Sequence, residues 1–155
     1  MQPRGFTAIE LITTLAILAI LAGIAVPSFS SFTTGQRLRA ASFDLRTDLT
    51  LARSEALKRN QNITIRKRQA PGWHTGWVVI VDSTAEQLRS RGDVGSKVSV
   101  DSPTDAITFD GSGRVVSPGG GVQIGLQAQI GSQTLDRCLV LTPNGMARST
   151  AEACT

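Results

Sequence analysis

The stretch Gly5-Phe6-Thr7-Ala8-Ile9-Glu10, followed by the apolar run Leu11 to Val26, decides how this chain folds. Glu10 is the only charged residue between Gly5 and the end of that run. A helix from Phe6 to Val26 rises ~30 Å, enough to cross the hydrocarbon core of a bilayer. We therefore predict a membrane-spanning and assembly helix over residues 6–27, with a kink or loosening at Pro27, where a backbone N–H is missing.

The residues before the apolar run do not match an ordinary secretory signal peptide. Such a peptide is cut after its apolar region, whereas the candidate cleavage point here, Gly5, precedes it. Cleavage after Gly5 would remove residues 1–5 and create an amine on Phe6, about one helical turn from Glu10. A lone carboxylate in a membrane helix needs a partner, and this amine, or that of a neighbouring subunit, could provide it. The simpler alternative places the Glu10 carboxylate in the headgroup region.

This N-terminal pattern resembles the class III leader of type IV prepilins and type II secretion pseudopilins. The resemblance rests on a short leader, Gly5, Phe6 and a glutamate at the fifth mature position, Glu10. Ala8 and Ile9 stand where that family often has Leu and Ile. The resemblance implies cleavage after Gly5 by a prepilin peptidase, N-methylation of Phe6, and contact of Glu10 with a neighbour's N-terminus during filament assembly.

Charge and cysteine content predict the compartment of the remaining chain. Arg4 precedes the apolar helix and belongs on the cytoplasmic side, so the chain after the helix is expected in the periplasm, with the helix in the inner membrane. Cys138 and Cys154 are the only cysteines. In an exported domain they would be oxidised to a disulfide, stabilising the C-terminal tail by ~3 kcal/mol in the chain-entropy model. Two buried free thiols are the alternative.

The segment 28–60 is predicted to be an amphipathic spine helix. Apolar residues recur at spacings of three, four and seven, which is typical of a helix with one face on a core; they are Leu38, Ala41, Leu45, Leu49, Ala52 and Ala56. Arg39, Arg46 and Arg53 form a separate stripe with seven-residue spacing. Asn60 is the predicted C-terminal cap.

The period changes after Asn60, and residues 61–155 are predicted to form a β-rich domain. Asp110-Gly111-Ser112-Gly113 has the composition of a hairpin turn. The expected fold class is α+β: a long N-terminal helix, half membrane-spanning and half amphipathic, packed on an antiparallel sheet. The predicted strands are Asn62–Lys67, Gly76–Asp82, Lys97–Asp101, Ala106–Phe109, Gly113–Val116, Val122–Ile130 and Asp136–Thr142.

Three further segments resemble the GspH/FimT family of minor pilins and pseudopilins, which have a type IV pilin-like fold. They are Leu51 to Asn60 on the spine, Trp73 with Gly76 to Asp82, and Arg137-Cys138-Leu139-Val140 with the distal Cys154. Read locally, Trp73 and Trp77 are expected to be packing residues, and Arg53 and Glu55 an ordinary helix surface.

The residues predict no enzyme. His74 is the only histidine and has no Ser or Cys nucleophile close in sequence, and the acidic residues show no catalytic spacing. We predict no cofactor and no metal site. The resemblance implies a filament-initiating or tip-associated minor pilin of a type IV pilus, with other minor pilins or pseudopilins and the major pilin as partners. The alternative is a minor pseudopilin of a type II secretion system.

A third hypothesis is DNA binding during natural transformation. Some members of the family bind DNA through a C-terminal G-R-x-R motif, but the corresponding residues here read Gly145-Met146-Ala147-Arg148, so the first arginine is missing. The candidate DNA-binding residues are Arg66, Lys67, Arg68 and Arg148. A mild basic surplus is more often a solvated surface than a nucleic-acid site.

Overall fold

The computed structural model of this chain describes residues 6–155, apart from the side chains of residues 24–28. Residues group into two compact units, Met1–Thr33 and Thr34–Thr155. The predicted cleavage point Gly5 lies outside the described residues. The backbone is helical from Ala8 to Arg59, which defines α1 and includes Pro27. The side chain of Pro27 is not among those described, so the kink there stays a prediction.

The C-terminus of α1 is capped as predicted. Asn60 has a φ of 52°, the left-handed conformation that commonly ends a helix. The N–H of Gln61 donates to the carbonyl oxygen of Ala56 at 3.3 Å, which satisfies one of the last helical carbonyls. Lys58 and Arg59 in the last turn complement the negative end of the helix dipole.

Nine strands follow α1, together with a short 3-10 helix at Trp73–Thr75. The strands are β1 (Ile63–Lys67), β2 (Trp77–Val81), β3 (Gln87–Ser90), β4 (Val98–Asp101), β5 (Ala106–Phe109), β6 (Val115–Ser117), β7 (Val122–Ile130), β8 (Gln133–Leu141) and β9 (Ala147–Thr150).

The strands form two antiparallel sheets, where a single sheet was expected. The first has the order β3-β2-β1-β5-β6, and the second has the order β4-β7-β8-β9. The Asp110 turn connects β5 to β6, as predicted, and the Asp110 carboxylate accepts hydrogen bonds from Ser112 and from the N–H of Arg114. These hydrogen bonds lower the pKa of Asp110.

One apolar core joins the helix and the sheets in the second unit. The predicted inward face of α1 is buried, from Leu38 to Ala56. Trp73 and Trp77 are also buried, at 2% and 1% exposure, which confirms that they are packing residues. Burial alternates along β2, although all five of its residues are apolar. Only Trp77, Val79 and Val81 are fully buried, and the residues between them are half-buried.

Candidate functional site

The start of α1 is capped by the side chains of Thr7, which precedes the helix, and of Glu10 in its first turn. Thr7 donates to Oε2 of Glu10 from its backbone N–H at 2.8 Å and from its hydroxyl at 2.9 Å. The N–H of Glu10 donates back to Oγ1 of Thr7 at 3.3 Å. This is the reciprocal capping box of the T-x-x-E pattern, a local role for Glu10 in addition to the one predicted from sequence. The pairing of Glu10 with an N-terminal amine stays a prediction.

The described large apolar side chains near the start of α1 are exposed. An exposed apolar helix surface of this kind is suited to burial against lipid or against other chains. The exposed residues near the start of α1 are Phe6 (86%), Ile9, Leu11, Ile12, Leu15, Ile17, Leu18, Ile20 and Leu21, each at least 56% exposed.

The predicted membrane span, residues 6–27, includes side chains that lie outside the described set. Among the described residues, no helix has a stretch both long enough and apolar enough to span a bilayer.

A buried carboxylate connects α1 to the first sheet. Asp48 is fully buried, and its Oδ2 accepts hydrogen bonds from Nε1 of Trp77 and Nε of Arg91, both at 2.9 Å. Arg91 also lies 3.3 Å from Oδ1 of Asp44. The hydrogen bond to Asp48 raises the pKa of Arg91. These contacts attach the buried face of α1 to Trp77 of β2 and to Arg91.

The end of α1 is fixed by ion pairs and by contacts with two turns. Arg59 hydrogen-bonds to Glu55 at 2.7 Å and to Glu86 at 2.6 Å, and the bond from Arg59 lowers the pKa of Glu55. Nε of Arg53 donates to the carbonyl oxygen of Gly113 at 3.1 Å. Arg53 and Glu55 were interpreted as an ordinary helix surface. That interpretation was incomplete, because both side chains make specific contacts.

The C-terminal tail is fixed by the predicted disulfide. Cys138 in β8 is bonded to Cys154, and the two Cα atoms are 4.9 Å apart. β9 pairs with β8, and Ser149 shares a hydrogen bond with Ser42 of α1 at 2.8 Å. The segment between the two cysteines is therefore attached to both the sheet and the helix.

The candidate DNA-binding residues are divided between two sheets. Arg66 and Lys67 lie at the C-terminal end of β1, with Arg68 just beyond, and Nζ of Lys67 pairs with Asp105 at 2.6 Å. Arg148 lies in β9, an edge strand of the other sheet. The turn before β9 contacts the Asp110 turn, because a Cβ on Gly145 would meet the carbonyl oxygen of Gly113. The Asp110 turn is next to Ile63, at the opposite end of β1 from Lys67. Arg148 therefore lies apart from Arg66, Lys67 and Arg68, which we call the Arg66 cluster.

The described part of the chain contains no group of three or more His, Cys, Asp or Glu side chains positioned to hold a metal ion. His74 lines an open cavity of about 690 Å³ whose other lining residues include Ser96, Lys97 and Gln127.

One known protein family matches the greater part of this chain. The model of the family described as type II transport protein GspH matches residues 41–145, more than half of the chain. The chain belongs to the GspH family. Members of this family are minor pilins and pseudopilins, structural subunits of the cell envelope that assemble with other minor pilins and pseudopilins.

Solved structures show the same fold. The type IV minor pilin FimU of Pseudomonas aeruginosa matches with a TM-score of 0.63 and 24% identity, over 78% of this chain and 92% of FimU. The minor pseudopilin EpsH of the Vibrio cholerae type 2 secretion system matches with a TM-score of 0.58 and 12% identity, over 74% of this chain and 97% of EpsH. At these identities the likeness shows the fold alone. A search of curated protein sequences gave no match.

Proposed function

We propose that this member of the GspH family is a minor pilin of a type IV pilus that initiates the filament or sits at its tip. The observation that carries the proposal is the contrast between the two units. The second unit buries its own apolar core, whereas the first presents apolar side chains with Glu10 at their start. Such a segment is suited to packing among the helices of other subunits, with the major pilin and other minor pilins as partners.

Processing and location follow from this proposal. A prepilin peptidase removes residues 1–5, and Phe6 becomes the N-methylated first residue. Residues 6–27 anchor the subunit in the inner membrane before assembly, and the chain from residue 28 onward is periplasmic. The disulfide between Cys138 and Cys154 supports this location, because disulfides persist in oxidising compartments.

The second candidate is a minor pseudopilin of a type II secretion system. The matching family, described as a type II transport protein, favours it. We place the pilus first because the disulfide closes a C-terminal hairpin that resembles the pilus-associated members of the family. DNA binding is the less supported alternative, because Lys67 is already paired with Asp105 and Arg148 lies apart from the Arg66 cluster.

Glu10 provides the test of assembly. In the proposed filament its carboxylate pairs with an N-terminal amine, so Glu10→Ala should insert in the membrane but be depleted from sheared filaments by about tenfold, the ratio that corresponds to ~1.4 kcal/mol. Immunoblots of membrane and filament fractions measure both quantities. Repeating them in cells without the major pilin distinguishes pilus from secretion, since only a pilus subunit disappears from the sheared fraction.

A matched variant separates charge pairing from helix capping. Glu10→Gln keeps a side chain that completes the capping box with Thr7 but removes the charge. We expect Glu10→Gln to assemble as poorly as Glu10→Ala, while Glu152→Ala, an exposed carboxylate in the C-terminal tail, assembles normally. Wild-type assembly of Glu10→Gln would show that the charge has no part in assembly.

A further inference from the structure

The outward face of α1 in the second unit has the pattern of a helix-packing surface. Its residues alternate at spacings of four and three, the repeat of a left-handed coiled coil, and they lie opposite the buried face. Phe43 is 61% exposed and Leu57 is 49% exposed, although the unit has a closed core. We call this face the outer seam; it consists of Gln36, Ala40, Phe43, Thr47, Thr50, Ser54 and Leu57.

The hydroxyl groups of the outer seam donate to its own helix. Oγ1 of Thr47 donates to the carbonyl oxygen of Phe43 at 2.8 Å, and Oγ1 of Thr50 donates to that of Arg46 at 2.9 Å. Ser54 donates to the carbonyl oxygen of Leu51 at 2.9 Å. Because these donors are satisfied, another helix can cover the seam without leaving them unpaired. The small side chains also allow close approach.

Positive charge borders the outer seam on both sides at its centre. A shallow groove of about 370 Å³ runs past Phe43, Thr47 and Thr50, with Arg46 and Arg89 among its lining residues. Arg89 lies 3.9 Å from the buried Asp48, and Arg53 is bound to the carbonyl oxygen of Gly113.

Two arginines of this border keep their charge available to a partner. Arg39 and Arg46 are exposed, seven residues apart, and neither forms an ion pair within the described part of the chain.

We propose that the outer seam binds a helix of a different filament subunit, one with an uncharged seam flanked by two acidic residues seven positions apart. The acids pair with Arg39 and Arg46, and residues of the partner pack around Phe43. This inference deepens the proposed function and rests on it, because it assigns the class of subunit that lies beside this one. Charge complementarity of this kind selects partners and sets register.

A second copy of this chain fits the outer seam poorly. In a parallel pair of α1 helices, Arg39, Arg46 and Arg53 each face the residue five positions further along the partner helix. Arg39 would face Asp44, which already binds Arg91, and Arg46 would face the uncharged Leu51. Arg53 would face Lys58, and like charges in such a position are unfavourable.

The test uses the full chain in its own cells. A photo-crosslinking amino acid replaces Phe43, and a second chain carries it at Gln129, which is exposed on β7 as a control position. We expect the Phe43 position to form an adduct with a helix of another filament subunit that carries the two acids. Arg46→Glu should reduce the adduct about tenfold or more. Exchanging the facing acid of the partner for arginine should then restore it.

The outcomes are separable from those of the proposed function. Arg114→Glu makes the same charge change on an exposed residue outside the seam and should leave the adduct unchanged. An adduct that persists in Arg46→Glu, an adduct with a second copy, or no adduct at Phe43 overturns the seam proposal. Adducts are scored in the membrane fraction as well as in filaments, so the adduct yield does not depend on assembly. Absence of the wild-type chain from filaments overturns the proposed function alone.

Discussion

Asp48 joins the middle of α1 to the first sheet. It is a fully buried carboxylate in the middle of α1, and it receives donors from both Trp77 and Arg91. Removing one member of such a group leaves buried polar atoms without partners, which costs more than the hydrogen bonds themselves contribute. This contact joins the buried face of α1, opposite the outer seam, to the first sheet.

We expect Asp48→Ala to lower the free energy of unfolding by about 2–3 kcal/mol, because the Trp77 N–H and the Arg91 guanidinium lose their acceptor. Arg91 is about one-third exposed, so water offsets part of its loss. Urea unfolding of the full chain in detergent micelles measures this, since both tryptophans are buried in the second unit. Asp82→Ala, an exposed carboxylate after β2, is the matched control. An equal, small loss in both variants would contradict the assigned role of Asp48.

The pattern of a sequence predicts which residues are buried more readily than it predicts which residues contact one another. The burial of Trp73 and Trp77 and the inward face of α1 could be predicted, because apolar periodicity reports burial directly. The acceptor for Trp77 could not be predicted, since Asp48 is 29 positions away and only the packed helix brings the two together. Glu10 is a different case, because its capping box with Thr7 is a local T-x-x-E pattern that the sequence contains. The apolar run that follows Glu10 drew the interpretation to a carboxylate in a membrane helix, and the capping role was not predicted.

The elements show the same division between local and long-range information. β5 and β7 have the predicted bounds, and the Asp110 turn is a hairpin. β3 and β9 were not predicted, because Gln87–Ser90 and Ala147–Thr150 lack apolar alternation and become strands through pairing with β2 and β8. The division of the strands between two sheets also depends on which strands pair, and the sequence of a single strand does not specify its partner.

The β8–β9 hairpin and its disulfide form the element most sensitive to oxidation state. Cys138 and Cys154 are 16 positions apart, and closing a loop of that size is worth about 3 kcal/mol in the chain-entropy model. Cys154→Ser should therefore lower the free energy of unfolding by roughly 2–4 kcal/mol, measured by urea unfolding without reductant. Adding reductant should destabilise the wild type and leave the variant unchanged. A wild-type chain that keeps its stability on reduction would show that the tail is held by β9 pairing alone.

At the scale of the whole molecule, the proposed membrane insertion and filament assembly rest on two units with different surfaces. The second unit is stabilised by its own core, its buried Asp48 contacts and its disulfide. In the proposed function, the exposed apolar side chains of the first unit are covered by lipid and then by neighbouring helices. The outer seam adds a second, charge-selective contact, so that assembly and the choice of neighbour depend on different residues.

The proposed assembly requires cleavage after Gly5, and the mass of the assembled chain shows whether that cleavage has occurred. Intact-mass spectrometry of the chain recovered from sheared filaments should find a protein that begins at Phe6, lacks residues 1–5 and carries one added methyl group. Gly5→Val should keep residues 1–5 and remain in the membrane fraction. A wild-type chain that retains residues 1–5 in its assembled form would contradict the account.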